Sequence, residues 1–388
     1  MHVHSLVLTG LASTVSAVNL YASSYAGTVT SLSLTQGYNG SYSLQKTATI
    51  EGCGVDPSWV TLDSNAGLLY CSDESINDKK SVITSYLTSE NGTLTQIDTA
   101  GTIYGPVSSV LYHDGTAIAQ AHYLGSSVTT YTIQDGLLES LDNFTFTQDG
   151  PGPNAARQDA PHPHEVILDP TESFIVVPDL GSDLLRVFSI NEDSTLTEST
   201  SFHVAPGSGP RHGAFLETGN ATWFFLVSEL ANTITSFQVA YGNGTLGFTE
   251  VFNSGTYGNT TTPIGAAAAE LHISPDEKFV HTSSRNDTLF QLPNFDPSNS
   301  TQVPSDSLQS WSIDPATGKL SFVQLAPAGG SFPRQFSLNA EGTLAAVGLQ
   351  NDGTVVIVER DVETSTFGDF VAEINLGDVG VTAVVWDE

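Results

Sequence analysis

The sequence repeats one pattern of short strands from end to end, and this repeat constrains the fold more than any other feature. Each unit opens with an apolar strand, usually after a proline, and continues through a turn, a second apolar strand, a polar turn and a third strand. Six units begin in this way, at Pro57, Pro106, Pro163, Pro210, Ala268 and Pro333. Helical periodicity is almost absent, so the sequence predicts an all-β chain built from repeated small sheets.

A period of about 50 residues with four strands in each unit is typical of a β-propeller. The two ends of the chain supply a seventh unit, because the chain starts within a unit at Leu20–Tyr25 and ends with a lone first strand at Val381–Trp386. We therefore predict that residues 18–388 form a single domain, a seven-bladed β-propeller. Its ring is expected to close when the C-terminal strand pairs with the N-terminal blade. Two insertions interrupt the period, at residues 150–163 and at about residues 293–310.

The first seventeen residues have the pattern of a secretory signal peptide. An apolar run, Leu6–Ala12, is followed by small residues that end at Ala17, as at a signal-peptide cleavage site. The basic residues that usually precede such a run are missing, so an initial strand is the alternative. We expect residues 1–17 to be removed and the mature protein to be secreted and extracellular. Eight sequons agree with an extracellular glycoprotein, at Asn39, Asn91, Asn143, Asn220, Asn243, Asn259, Asn286 and Asn299.

The chain has two cysteines, Cys53 and Cys71. In an oxidising compartment a disulfide between them would stabilise the fold by about 3 kcal/mol, because it restricts the unfolded chain. Two buried free thiols are the alternative.

The charge of the chain argues against two classes of partner. Lys and Arg number 11 against 42 Asp and Glu, which gives a formal net charge of -31 at pH 7. This charge would repel the phosphates of nucleic acid and an anionic lipid surface. No later segment is long and apolar enough to span a bilayer. We therefore expect neither nucleic acid nor a membrane as a partner.

Arginines concentrate where the repeat predicts one mouth of the central channel. In each blade the first strand starts and the second strand ends at the same rim, because the two strands are antiparallel. Three of the six arginines, Arg211, Arg285 and Arg334, fall at these positions, and Arg157 in the insertion at residues 150–163 could join them. Arginine binds carboxylates bidentately, so the mouth is predicted to bind a small anionic or oxygen-rich ligand.

Acidic residues on the same rim allow two interpretations. Glu165, Glu229 and Glu270 could neutralise the arginines as buried ion pairs. Glu229 could instead form an acid/base pair with His164, whose imidazole changes charge near neutrality. Both interpretations can hold together, because an arginine in a binding site needs a supporting carboxylate. Other candidates for substrate contact at repeat-equivalent positions are Glu270, Gln350, Asp179 and Tyr123.

Metal and covalent chemistry are less favoured by the sequence. His162 and His164 could form a metal pair on one strand, but no repeat supplies a clear third ligand, so we predict no metal and no other cofactor. The chain has no Gly-rich phosphate loop, no Gly-x-Ser-x-Gly motif and no cysteine placed as a nucleophile. Acid/base catalysis with electrostatic stabilisation is therefore the expected chemistry.

Five segments carry a resemblance to a known family: Gly152–Pro170, Val176–Phe188, Gly209–His212, Ser228–Phe237 and Phe332–Phe336. They resemble the seven-bladed propeller lactonases, which include bacterial-type 6-phosphogluconolactonases and the fungal 3-carboxy-cis,cis-muconate lactonizing enzyme (carboxymuconate cyclase). The resemblance covers nearly the whole mature chain. It implies a propeller of seven blades and active-site roles for a histidine, an arginine and a glutamate, with a second arginine as an anion contact. These map onto His164, Arg211, Glu229 and Arg285.

Three functions follow as hypotheses. The first is hydrolysis of a sugar-type lactone by a monomeric secreted enzyme, with Glu229 or His164 activating water and Arg211 stabilising the oxyanion. The second is a cycloisomerase that forms a lactone, in which Arg211 and Arg285 orient a carboxylate. The third is a secreted binding module without catalysis. The reference substrates of the family are intracellular metabolites, so an exported member is expected to act on a different lactone.

Overall fold

The computed structural model of the chain describes residues 17–242, 244–377 and 380–388. The predicted signal peptide lies outside the described residues except for Ala17, and so does the sequon residue Asn243. The described residues contain no α-helix and therefore none that could span a membrane. They form 31 β-strands, which confirms the all-β prediction.

Of these strands, 29 form seven antiparallel sheets arranged as the blades of a propeller, and the other two form a separate hairpin. Blade 1 contains β1 (Ala17–Ser24), β2 (Thr28–Gln36) and β3 (Tyr42–Glu51). Blade 2 contains β4 (Pro57–Asp63), β5 (Leu68–Asp73), β6 (Val82–Leu87) and β7 (Thr95–Gly101). Blade 3 contains β8 (Pro106–Tyr112), β9 (Ala117–His122), β10 (Ser127–Gln134) and β11 (Leu137–Thr145). Blade 4 contains β12 (Ile167–Leu168), β13 (Phe174–Asp179), β14 (Leu184–Ile190), β15 (Leu196–Glu198) and β16 (Phe202–His203).

The remaining blades continue the same order from the channel outwards. Blade 5 contains β17 (Pro210–Thr218), β18 (Ala221–Ser228), β19 (Thr233–Gly242) and β20 (Thr245–Gly255). Blade 6 contains β21 (Ala267–Ile273) and β22 (Phe279–Arg285), then a separate hairpin of β23 (Phe290–Pro293) and β24 (Gln302–Ser305), then β25 (Ser307–Ile313) and β26 (Leu320–Pro327). Blade 7 contains β27 (Pro333–Leu338), β28 (Leu344–Leu349), β29 (Thr354–Arg360) and β30 (Phe367–Asn375). The last strand of the protein, β31 (Val381–Asp387), belongs to blade 1, where it lies next to β1.

The insertion in blade 6 begins earlier than the sequence suggested. The sequence predicts it at about residues 293–310, whereas the hairpin already starts at Phe290 and the third strand of the blade starts at Ser307. The strand Phe290–Pro293 pairs with the strand Gln302–Ser305 and does not join the sheet of blade 6. An alternation of apolar and polar residues specifies a strand but not the sheet that the strand joins.

Burial differs between the middle and the outside of each blade. Every residue of β5, β13, β22 and β28, which are second strands, is buried. In the outermost strands β3 and β11, exposed residues are interspersed with partly buried ones. Seven apolar clusters lie between neighbouring blades, and one of them joins blade 7 to blade 1. The core is therefore a ring of contacts between blades.

The last strand closes this ring. β31 pairs antiparallel with β1, with Leu20 opposite Trp386 and Ala22 opposite Val384. It also joins the blades on either side: Thr382 Oγ1 donates to the carbonyl of Pro57 in blade 2 at 2.7 Å, and Trp386 Nε1 donates to a carbonyl in blade 7 at 3.1 Å. The predicted closure by the C-terminal strand is confirmed.

Cys53 and Cys71 form a disulfide between the loop before β4 and the strand β5, with their Cα atoms 5.9 Å apart. We expect the double variant Cys53→Ala with Cys71→Ala to lower the free energy of unfolding by about 3 kcal/mol, because the unfolded chain regains freedom. Urea unfolding of the variant and of wild-type protein, each with and without reductant, measures this. An unfolding midpoint equal to that of oxidised wild-type protein would contradict the prediction.

Candidate active site

The start of the first strand lies opposite the end of the second strand in every blade. The facing pairs are Val381 with Ser24, Pro57 with Asp73, Pro106 with His122, Pro163 with Asp179, Pro210 with Ser228, Ala267 with Arg285, and Pro333 with Leu349. The repeat-equivalent residues therefore encircle one mouth, as the repeat predicts. In blades 5 and 7 a β-bulge falls at the second residue of the first strand, Arg211 and Arg334. A bulge re-aims the side chain that it carries.

Three arginines surround one buried carboxylate at this mouth. Glu229 follows β18 and is only 2% exposed. Its Oε1 lies 2.6 Å from Arg157 Nη2, and its Oε2 lies 2.8 Å from Arg285 Nη2 and 3.1 Å from Arg211 Nε. We call Arg157, Arg211, Arg285 and Glu229 the arginine cluster. It carries more positive than negative groups in a strongly acidic chain.

The electrostatics of the cluster follow from burial and crowding. Burial alone would raise the pKa of Glu229, but Arg285, Arg211 and Arg157 lower it to about 2. Burial and then the charge of Arg285 lower the pKa of Arg211 to about 9, so Arg211 remains charged at neutral pH. Arg211 Nη1 is buried and has no hydrogen-bond partner among the described residues. The cluster therefore contains a charged donor that is buried without a partner in the described part of the chain, an arrangement that costs free energy until the donor is hydrogen-bonded.

The insertion at residues 150–163 delivers Arg157 to the cluster. Gln158, which is fully buried, orders this loop: its Oε1 accepts from Asn154 N at 2.9 Å and its Nε2 donates to Leu180 O at 3.0 Å. Arg157 itself keeps 41% of its side chain exposed and donates to the hydroxyl of Tyr123 at 3.2 Å. Arg157 is therefore the most accessible cation of the cluster.

Arg334 belongs to a neighbouring group. Its Nη1 donates to the hydroxyl of Tyr25 at 2.6 Å, and its Nη2 lies 3.7 Å from Glu74 Oε2. The Tyr25 hydroxyl also donates to Glu74. Burial raises the pKa of Tyr25, so this phenol stays neutral. Arg334 is thus balanced by one carboxylate, whereas Glu229 is shared by three cations.

A second buried set lies next to the arginine cluster. His212 Nδ1 lies 2.7 Å from Glu270 Oε1, and His212 Nε2 lies 3.2 Å from His164 Nδ1. Burial and the charge of Arg211 hold the pKa of His164 well below its usual value, so this imidazole is neutral at physiological pH. The ring of Trp59 meets His212 edge-on at 5.7 Å between centroids.

One group of these residues could hold a metal ion. Single donor atoms of Glu165, His212 and Glu270 lie within 4.8 Å of one another. The 2.7 Å contact between His212 and Glu270 is a hydrogen-bond distance, however, and it is short for two ligands of the same ion. We therefore assign this contact as a hydrogen bond. The pair His162 and His164 does not converge, because His162 Nδ1 lies 2.7 Å from the carbonyl of Tyr123 and His164 faces His212.

Comparison with known proteins decides the family. A sequence model of the family "Lactonase, 7-bladed beta-propeller" matches residues 17–385. This chain belongs to that lactonase family. A "Probable 6-phosphogluconolactonase" of Arthroderma benhamiae is 32% identical over 312 residues, which cover 79% of this chain and 74% of that protein. The 6-phosphogluconolactonase of Bacillus subtilis is 28% identical over 80% of this chain and 81% of its own length.

Solved structures agree with the lactonase fold. The periplasmic gluconolactonase PpgL of Pseudomonas aeruginosa superposes with a TM-score of 0.78 at 23% identity, covering 96% of this chain and 99% of that chain. At that identity the likeness concerns the fold. The resemblance proposed from the five sequence segments is confirmed by the family match.

The structure brings together only some of the predicted site residues of this lactonase. His164, Arg211, Arg285, Glu229, Arg157 and Tyr123 meet at the mouth. Asp179 does not join them, because its carboxylate is bound by Arg186 at 2.8 Å and by the backbone of His162 at 2.7 Å. Gln350 has a buried Oε1 without a hydrogen-bond partner among the described residues.

Sequence reasoning left out His212 as a site residue. The sequence places His212 directly after Arg211 on the predicted rim but does not indicate its contacts. The predicted substrate contact Glu270 has its Oε1 2.7 Å from His212 Nδ1, and its charge also acts on Arg211. Its role in the geometry is to hold the imidazole of His212.

Proposed function

We propose that this protein hydrolyses an anionic sugar lactone at the arginine cluster. The observation that carries the proposal is the unpaired, buried Nη1 of Arg211 in a cluster with surplus positive charge. Membership of the lactonase family supports lactone chemistry. The name of the relatives, 6-phosphogluconolactonase, supports hydrolysis of a sugar lactone.

The reaction needs a base for water and a donor for the oxyanion. Water attacks the lactone carbonyl, a new carbon–oxygen bond forms, and the ring carbon–oxygen bond then breaks. His164 takes the proton from the attacking water and returns it to the departing ring alkoxide. Arg211 donates to the carbonyl oxygen as its negative charge develops. No covalent intermediate with the protein is required.

Glu229 is poorly suited to be the base in this scheme. Both of its carboxylate oxygens are engaged by guanidinium groups, at 2.6, 2.8 and 3.1 Å, so neither oxygen is free to take a proton from water. It instead fixes the guanidinium groups of Arg211 and Arg285 relative to each other. His164 is neutral, and its Nε2 makes no hydrogen bond to the described residues, so this nitrogen is free to accept a proton.

The surplus charge of the cluster favours a substrate with its own negative group. Arg285 shares Oε2 of Glu229 with Arg211, whereas Arg157 contacts Oε1 and is the most accessible of the three. A carboxylate or phosphate on the sugar can pair bidentately with a guanidinium. We include export in the proposal, supported by the disulfide and by the exposure of the seven sequon asparagines that lie in the described residues, Asn39, Asn91, Asn143, Asn220, Asn259, Asn286 and Asn299.

A matched pair of lactones tests the proposal. We expect 6-phosphoglucono-1,5-lactone or an aldarolactone to be hydrolysed with a kcat/KM on the order of 10-fold or more above that of neutral glucono-1,5-lactone, since each added ion pair in a partly buried site contributes about 1 to 3 kcal/mol. Acid release at constant pH measures the rate, with the spontaneous rate subtracted. Equal rates for neutral and anionic lactones would contradict the role of the surplus charge.

The same assay separates the other two hypotheses. Loss of the ultraviolet chromophore of 3-carboxy-cis,cis-muconate would indicate the cycloisomerase. Binding of an anionic lactone without turnover in folded protein would indicate the binding module. In either case the hydrolytic proposal fails.

A further inference from the structure

We propose that Glu270 and His212 are positioning residues that hold His164 with a proton on Nδ1 and a free lone pair on Nε2. The inference rests on the proposed function, because it names the atom that accepts the proton from water. It also assigns roles to two buried residues that bind no substrate in the proposed reaction.

The three residues form a chain of contacts around the channel. They come from the inner edges of three consecutive blades, His164 from blade 4, His212 from blade 5 and Glu270 from blade 6. Glu270 Oε1 accepts from Leu271 N at 2.9 Å and lies 2.7 Å from His212 Nδ1. The 3.2 Å contact between His212 Nε2 and His164 Nδ1 continues the chain. All three side chains are nearly inaccessible to solvent.

The positions of the protons on these three side chains can be assigned one at a time. Burial would raise the pKa of Glu270, but His212 lowers it to about 2, so Glu270 is ionised and can only accept. His212 Nδ1 must therefore carry a proton. Burial lowers the pKa of His212 to about 4, so at neutral pH the ring holds a single proton and Nε2 accepts. His164 Nδ1 must then donate to it.

His164 Nε2 is therefore the nitrogen of this hydrogen-bonded series, Glu270, His212 and His164, that can accept a proton. It makes no hydrogen bond to the described residues. The charged and titratable groups that face His164 are Arg211, Arg285, Arg334, His212 and Tyr123. The three arginines oppose protonation of the ring, so the free lone pair persists as the pH falls. The same logic, a carboxylate that fixes an imidazole in one tautomer, operates in serine hydrolases, here with a second imidazole between the two groups.

The tautomer can be measured without any substrate. We would label the histidines with ¹⁵N and record two-bond ¹H–¹⁵N correlation spectra, which report the nitrogen that bears the proton. The His164 signal is identified by its absence from the variant His164→Gln. The expected result for wild-type protein is a neutral His164 protonated on Nδ1. A His164 protonated on Nε2 would overturn the inference.

A double variant tests whether His212 and Glu270 cause this state. His212→Phe removes the acceptor for His164, and the added substitution Glu270→Gln removes the carboxylate that would otherwise be buried without the imidazole that it binds. We expect His164 to move to the Nε2-protonated form and kcat to fall on the order of 100-fold, with KM nearly unchanged because the arginine cluster is intact. Retention of the Nδ1 proton in this variant would overturn the inference.

Glu165→Gln is the matched control. Burial and the nearby Glu270 raise the pKa of Glu165 well above its usual value, so this residue is already neutral at physiological pH. The amide can replace it and still accept from Gly213 N, a contact of 2.7 Å. We expect its spectra and kcat to match wild-type protein. A loss of kcat in this variant as large as that in the double variant would overturn the assignment to Glu270.

The pH profile gives a second readout that a merely structural role would not produce. Because the pKa of His164 is depressed, its neutral form persists below the ordinary value, and kcat/KM should stay level as the pH falls through about 6.5. A decline centred near that pH would contradict the depressed state. Absence of hydrolysis of every lactone, with His164 still protonated on Nδ1, would instead refute the proposed function and support the contact chain alone.

Discussion

Arg211→Ala should lower kcat for lactone hydrolysis on the order of 100- to 1,000-fold, the cost of removing one oxyanion donor. The reason is the position of Arg211 Nη1, which is charged, buried and without a partner among the described residues. Arg157 and Arg285 still hold Glu229 in the variant, so substrate affinity should change less than turnover. Steady-state kinetics on the preferred lactone measure both quantities.

The matched control for this experiment is another buried arginine at the opposite end of the sheets. Arg360 ends β29, donates to His281 Nε2 at 3.0 Å and donates to Gly342 O at 2.8 Å. Arg360→Ala should reduce the melting temperature but leave the kcat of the folded fraction close to wild type. Turnover of Arg211→Ala near the wild-type value would show that Arg211 is not the oxyanion donor.

The architecture could be predicted because each repeat is recognisable from residues that are close together in the sequence. A proline at the start of a first strand, an apolar second strand and a polar turn recur often enough to count the blades, and the odd strand at Val381 then has only one place to pair. The positions around the mouth follow from strand direction alone. Neither step requires knowledge of side-chain contacts, which is why both agree with the structure.

The partners of the rim residues could not be predicted in the same way. Asp179 is the last residue of β13, and Glu229 directly follows the equivalent strand β18. Asp179 is bound by Arg186 on the neighbouring strand, whereas Glu229 is shared by arginines from three different segments. Which cation reaches which carboxylate depends on the β-bulge at Arg211 and on the fold of the 150–163 loop. Strand alternation gives neither, because a bulge breaks the alternation of faces.

The same limit explains why His212 was left out. Neighbours along a regular strand point to opposite faces, so Arg211 and His212 would not be expected to serve one site. The bulge at Arg211 disturbs that alternation, and His212 reaches across to the blades on both sides. The sequence places such a residue on the rim but does not indicate its contacts.

Deleting residues 381–388 should abolish cooperative folding. Val381, Ala383 and Val384 are fully buried, and Trp386 packs in the cluster between blades 7 and 1. Burial of each large apolar side chain contributes about 1.5 to 3 kcal/mol. The deletion also exposes the edge of β1 and the apolar faces of blades 1, 2 and 7. The sum approaches the roughly 5 to 15 kcal/mol by which a whole protein is stable. Differential scanning calorimetry of the purified variant measures the loss.

A control deletion and a rescue with a peptide show whether the loss of stability is due to β31. Removal of Glu388 alone, which is exposed and lies beyond β31, should leave the melting temperature close to wild type. A synthetic peptide of residues 381–388 should restore a folding transition to the truncated chain, with a midpoint that rises with peptide concentration, because the peptide binds only the folded ring. A truncated chain that melts like wild-type protein without the peptide would show that the contacts between the other blades hold the propeller, and that β31 only covers an edge.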